Sequence, residues 1–492
     1  MQHGSFRRWV ARSSGFATVV VACTVATASS GGATVATPTV APASGGAGVP
    51  VLASTKFDLS EVGYQSSEFL LSGTANAYTS AAPLTADGMW TVTAAEAAPF
   101  VTRVVVYRPT NPKKFNGTVL VEWLNVSGGV DANPDWVQTH NQLIRDGDAW
   151  VGVSSQAVGV NATKGSDPVR YAALSHPGDS FSYDIYSQAG QAIRTNPTIL
   201  GGLKAKRVLG AGESQSAGRL VTYLDAVHPL AGVYDGYLVH SRGAAGAALS
   251  QAPLAAIATP NPTAIRADLD VPVFVFQTET DVYNSNLGAR QDDAKTFRLW
   301  EAAGTSHYDT YGLVIGNNDV GDGQGAVQAL ASMQNPTNDP VPGAITCALA
   351  INTGPMHWEL DAAVHHLDEW VSNGTPPPKA PRLESTGTSP VAYALDDAHN
   401  ARGGVRSPQV DVPIAQLGGI SNSGQPPLGQ FCRLFGTTVP FTDAELASRY
   451  ANHRQFVAEW NKAVQRALKA GYLVPEDARE LMRAAAKSQI GA

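Results

Sequence analysis

Short runs that are apolar on both faces alternate along most of the chain with segments whose apolar positions recur at helical spacing. Residues 101–108 read as a strand because Val104-Val105-Val106-Tyr107 is β-branched and aromatic and Pro109 ends it. Residues 68–73, 118–124, 149–154, 208–211, 234–239 and 271–277 read as further strands, and 296–303 mixes strand and helix signals. Helices are predicted over 136–145, 182–194, 217–226 and 359–371, the last ended by Gly374 and Pro376-Pro377-Pro378. Doubly apolar strands separated by helices predict an α/β fold with a mostly parallel sheet of about eight strands, covered by helices on both sides. Residues 312–350 are rich in Gly, Asn and Asp and lack a period, so an insertion over 309–350 is expected to be a long loop. Short β-like pieces fill 382–440. One long helix then follows, opened by a capping box at Thr442-Asp443-Ala444-Glu445, with Phe456, Trp460, Val464 and Leu468 at intervals of four and Gly471 as its stop. Pro475 starts a final helix with Glu476 and Asp477 in its first turn. The expected division is a leader and linker at 1–50, a main sheet domain at 51–381 and an extension at 382–492 packed upon it.

Composition narrows the classes. With 492 residues, 43% hydrophobic and 15% charged, the chain can bury one large core. A formal net charge of -7 gives no electrostatic reason to expect nucleic acid or an anionic membrane as partner. Arg7, Arg8 and Arg12 precede the apolar run 16–23, and 24–49 is almost wholly Ala, Thr, Ser, Gly, Val and Pro. That is the pattern of a signal peptide and flexible linker, and it predicts a secreted or cell-surface protein; a disordered cytoplasmic extension is the alternative. Val20-Val21-Ala22-Cys23 resembles a bacterial lipobox without its usual leucine, which makes Cys23 a lipidation candidate. Either form of processing leaves Cys347 and Cys432 as an even pair in an oxidising compartment, where a disulfide is expected. Beyond the N-terminus no apolar run of about 18 residues predicts a membrane span.

The chemistry concentrates at Val208-Leu209-Gly210-Ala211-Gly212-Glu213-Ser214-Gln215-Ser216-Ala217-Gly218. A strand turns sharply into a helix there, with Gly212 and the small Ser216 flanking Ser214. A nucleophile on such a turn sits in a strained backbone conformation, and bulky neighbours two residues away on either side would collide. The Gln215 N–H is then placed to receive an oxyanion. Downstream, the strand 271–277 runs into Glu279 and Asp281, and Gly304-Thr305-Ser306-His307 follows the next. In this order Ser214 is the nucleophile and His307 the base, with Asp281 the preferred acid and Glu279 its alternative. A second oxyanion donor is expected from Val126 or Ser127, in the turn before Gly128-Gly129. His240, Met356, His357 and Trp358 are candidates for the substrate pocket, and His357 is a rival base. The histidines have no metal-binding spacing, and residues 317–322 read as a Gly/Asp turn more readily than as a calcium loop.

Four stretches together resemble the α/β-hydrolase superfamily, and within it a group of large bacterial α/β-hydrolase-domain proteins. They are Val121 to Val126, Gly-Glu-Ser-Gln-Ser at 212–216, Glu-Thr-Asp at 279–281 and Gly-Thr-Ser-His at 304–307. The resemblance spans roughly residues 55–485, including the Gly-rich 401–406. It implies one decorated catalytic domain, no cofactor, and hydrolysis through an acyl-enzyme. The resulting expectation is a serine esterase acting on a small or polymer-linked ester. An amidase or peptidase with the same triad, or a non-catalytic binding protein of the same fold, are the alternatives.

Overall fold

The computed structural model describes residues 1, 35–284, 286–387 and 391–491. The signal-peptide reading and the lipidation candidate Cys23 fall outside the described residues. Among the described residues nine strands form one sheet: β1 Thr39–Pro42, β2 Tyr64–Thr79, β3 Thr93–Pro109, β4 Thr118–Trp123, β5 Ala149–Val153, β6 Arg207–Glu213, β7 Gly236–His240, β8 Val273–Thr278 and β9 Phe297–Ala302. Their spatial order is β1-β2-β3-β5-β4-β6-β7-β8-β9. The first three pairings in that order are antiparallel, β1 on β2, β2 on β3 and β3 on β5. Every pairing beyond β5 is parallel. The expected α/β architecture is thus present, with one antiparallel edge.

The parallel strands are apolar on both faces because both faces are covered. Val119, Val121 and Trp123 of β4, Val151 of β5, Tyr237 of β7 and Val275 of β8 enter one core with the helix Ser182–Thr195. The alternate residues Leu120, Trp150, Leu238, Phe274 and Trp300 enter a second core with the helices Pro134–Asp146 and Met356–Asn373. The buried Glu122 carboxylate accepts the N–H groups of Asp135 and Trp136 at 3.0 Å each, which caps the Pro134–Asp146 helix.

Several elements differ from the sequence reading. β1 lies inside the stretch read as linker; its main chain pairs with β2, Thr39 Oγ1 donates to the Ser72 carbonyl at 3.1 Å, and Val40 alone of its side chains is partly buried, so no hydrophobic period marks it. β2 and β3 run well beyond 68–73 and 101–108, because the Ala-rich end of β3 is a strand by pairing rather than by propensity. The stretch read as a long loop contains the helix Gln324–Gln334, whose buried face is Gly325, Ala326, Ala329, Leu330 and Met333. Small residues carry its period. The single long C-terminal helix is two, Asp443–Arg449 and His453–Ala470. The capping box at Thr442 and Glu445 forms, but the chain breaks at 450–452, where the Asn452 side chain accepts the Gln455 N–H and opens the second helix.

The extension shares a core with the rest. Phe456, Trp460 and Leu481 pack with Ala326, Leu330 and Met333. Arg145 pairs with Asp477 at 2.5 Å and Glu480 at 2.9 Å, and Cys347 is bonded to Cys432. Among the described residues no helix is long and apolar enough to cross a membrane. The disulfide closes a sequence separation of 85 residues. Replacing both cysteines by serine is expected to lower the unfolding free energy by roughly 4 kcal/mol in urea titration, the chain entropy released by opening such a loop.

Candidate active site

The parallel pairing of β6 through β9 brings four strand ends to one edge of the sheet. β6 ends at Glu213, and Ser214 follows with φ 58° and ψ -116° before the helix Gln215–Thr222 begins. This strained residue of positive φ is what the flanking small residues allow: a Cβ on Gly212 would lie 3.2 Å from that of Ser216. β8 ends at Thr278, and Asp281 sits within the short helix Glu279–Asn284 rather than on an open loop. Its Oδ2 accepts both the Thr278 N–H and the Thr278 hydroxyl, at 2.8 and 2.7 Å, which bends the chain back at the strand end. β9 ends at Ala302, and Gly304 at φ 72° turns the chain so that His307 returns over the edge.

The three side chains meet. His307 Nε2 lies 2.7 Å from Ser214 Oγ, and His307 Nδ1 lies 2.5 Å from Asp281 Oδ1. Burial opposes charge on the imidazole, yet Asp281 and then Glu213 outweigh it and push His307 up to about 9. Burial likewise raises Asp281, but His307 and the two Thr278 donors hold it below the ordinary carboxylate value.

Glu279, the alternative acid, is committed elsewhere. Its two oxygens accept the N–H groups of Gly304 and Gly419 at 2.6 and 2.9 Å, and burial lifts it to about 7. It ties the His307 turn to the C-terminal extension. Between the two carboxylates, Thr280 Oγ1 accepts the His307 N–H at 3.1 Å and donates to the Gly419 carbonyl.

The sequence reading passes over Glu213 as part of the turn. Its Oε1 is 3.2 Å from His307 Nε2, and its Oε2 accepts from Asn125 Nδ2 at 2.9 Å. Burial raises it to about 7, against the pull of His307 and His240. Its place immediately before the serine, on the strand face opposite that of Gly212, is the available signal.

Of the two expected oxyanion donors beside Gln215, the Ser127 N–H is already given to Asn125 Oδ1 at 2.7 Å. Val126 N–H has no partner among the described residues, and neither has Gln215 N–H at the start of its helix. Ser214 opens into a cavity of about 770 Å³, whose apolar wall includes Val137, Leu313, Phe431, Leu434 and Phe435. The four pocket candidates do not line it. His240 is turned to Asp135, 2.8 Å away, and is fully buried. His357 stacks on Tyr311 at 3.7 Å and bonds the Gln138 carbonyl, while Met356 and Trp358 fill separate cores. The last three fail for one reason: the helix that carries them packs on a face of the sheet, against β7 and β8, rather than over its edge. The rival base His357 is thereby removed from Ser214, and burial drives it down to about 3.

A family model described as "Alpha/beta hydrolase domain" matches residues 35–483. No curated protein matches the chain. Among solved structures, a thermostable esterase from Pseudomonas putida ECU1011 is similar at 15% identity, covering 46% of this chain and 66% of that one, with a TM-score of 0.24. A putative dienelactone hydrolase from Klebsiella pneumoniae subsp. pneumoniae MGH 78578 is 12% identical, covering 47% and 85%, with a TM-score of 0.26. Acetyl xylan esterase 1 from Thermoanaerobacterium sp. JW/SL YS485 is 9% identical, covering 42% and 53%, with a TM-score of 0.23.

The His307 pairing makes stability depend on pH in a definite direction. Because the folded value, about 9, exceeds the ordinary 6.5, the contribution is complete below 6.5 and is lost as pH rises through 9. The Tm of the wild type should therefore fall from pH 7 to pH 10, and His307→Gln should flatten that slope; equal slopes would contradict the pairing.

Proposed function

This chain belongs to the alpha/beta hydrolase domain family, and from that premise we propose that it is a serine esterase forming an acyl-enzyme on Ser214. The observation that carries this reading is the unbroken line Ser214 Oγ, His307, Asp281, at 2.7 and 2.5 Å, on a strained strand-to-helix turn. His307 Nε2 takes the Ser214 proton as Oγ attacks the ester carbonyl. Gln215 N–H and Val126 N–H are the donors for the resulting oxyanion. Collapse expels the alcohol, which leaves with the proton from Nε2. Water then repeats the cycle on the acyl-enzyme and frees the acid. Asp281 keeps the proton on Nδ1, so that Nε2 faces the serine with its lone pair.

The largely apolar cavity suits the acyl or alcohol part of a small or polymer-linked ester. We place the mature protein outside the cell or at its surface, and the Cys347–Cys432 bond is in keeping with that.

Ser214→Ala should abolish p-nitrophenyl ester turnover and labelling by a fluorophosphonate probe while leaving circular dichroism unchanged. Activity near wild type in that variant would refute the nucleophile. Anilides assayed beside the esters separate esterase from amidase. Asp281→Asn should lower kcat/KM by about 10⁴ through the wrong imidazole tautomer. Glu279→Gln, at a carboxylate that holds the turn without touching the imidazole, should chiefly lower Tm. A larger kinetic loss from Glu279→Gln would transfer the acid's role.

A further inference from the structure

Nε2 of His307 faces two oxygens at once, Ser214 Oγ at 2.7 Å and Glu213 Oε1 at 3.2 Å. The second is not a surface carboxylate that happens to be near, since Glu213 is 5% exposed. Nor is it free to leave, because Asn125 Nδ2 bonds both its Oε2, at 2.9 Å, and its main-chain carbonyl, at 3.1 Å. Asn125 in turn receives the Ser127 N–H, so the same side chain shapes the turn that carries Val126. Glu213 therefore stands between the base and the oxyanion turn.

Its effect depends on which proton is where. While His307 is neutral, Nε2 presents a lone pair, and an ionised Glu213 gains nothing from it. Once the Ser214 proton has moved to Nε2, the imidazolium N–H faces a carboxylate. An ionised Glu213 thus favours the state reached during attack over the state before it, which is the condition for a group to accelerate the step. We propose, resting on the esterase reading, that Glu213 is a positioning residue that stabilises the His307 imidazolium and, through Asn125, holds the oxyanion turn in register with it.

Other charges bear on the same groups. His307 is faced by Asp281 from the Glu279–Asn284 helix, by Glu213 from the end of β6 and by Arg433 from the Gly429–Leu434 turn. Glu213 is faced by His307, by His240 from the end of β7, by Asp135 from the Pro134–Asp146 helix and by Asp281. His240 and Asp135 are themselves paired at 2.8 Å. Glu213→Gln removes one charge from this set and keeps an oxygen for Asn125.

The test is a titration of the histidine ring signals by NMR in the wild type and in Glu213→Gln, with His307 assigned by the loss of its signal in His307→Gln. The His307 pKa should fall by about one unit, the lower end of what a neighbouring charge imposes. In p-nitrophenyl acetate hydrolysis the acid limb of kcat/KM should move down by the same amount. At pH 10, where the ring is neutral in both, kcat should fall on the order of tenfold with KM little changed. An unshifted His307 titration in a folded variant overturns the proposal. If Glu213→Gln does not fold, the wild-type titration decides: two inflections of His307, one as Glu213 ionises and one as the ring deprotonates, support the coupling, and a single one refutes it. The ring titration needs no turnover, so it stands apart from the esterase reading, whose own failure would appear as ester hydrolysis insensitive to Ser214→Ala.

Discussion

The parallel hydrogen-bond ladder from β6 to β9 is the constraint on which the site depends. Parallel strands all end on the same side, so residues 93 positions apart in sequence, Ser214 and His307, leave the sheet at one edge. The in-register pairing of Thr278 with Ala302 sets the turns that carry Asp281 and His307 side by side. Burial of both faces in turn requires the doubly apolar strands that dominate this part of the chain.

Strand ends alone leave the turns loose, and buried polar contacts fix them. Glu279 holds the His307 turn by two main-chain N–H groups, one of them from the extension. A Cβ on Gly419 would lie 2.5 Å from that of Glu279, so the close approach requires glycine there. On the other flank, Arg103 pairs with Asp131 at 3.0 Å and with Glu68 at 2.8 Å in the interior, anchoring the far end of the turn that contains Val126. Buried ion pairs of this kind contribute little net stability, but removing one partner leaves an unpaired charge, which is strongly unfavourable. They specify geometry at the site. The extension belongs to the same construction. It supplies Gly419 to the Glu279 clamp, Phe431, Leu434 and Phe435 to the cavity wall, and Asp477 and Glu480 to Arg145.

Much of the fold and the core of the site were legible in the sequence, for local reasons. The parallel strands announce themselves because each must be apolar on both faces. The Ser214 turn announces itself because its backbone excludes bulk at 212 and 216. The order of serine, acid and histidine follows the chain, as does the capping box at Thr442. What local pattern did not carry was missed or misplaced: β1, whose side chains are largely exposed, and the helix Gln324–Gln334, whose buried face is mostly small residues.

The sequence by itself determined the parallel strands, the elbow and the short set of candidates for the site, because each is written in local pattern. Tertiary structure alone decided the choices between near equals. Glu279 and Asp281 are two residues apart at one strand end, and only the bend made by Thr278 turns Asp281 to the imidazole while Glu279 turns to Gly304 and Gly419. His307 and His357 are both buried, and only the layer in which each lies separates an imidazole beside Ser214 from a ring stacked on Tyr311. That Cys347 lies against Cys432, and that Glu213 faces Nε2, depend on contacts between segments far apart in sequence. Periodicity and turn chemistry reach only a few residues, so such contacts leave no trace in either.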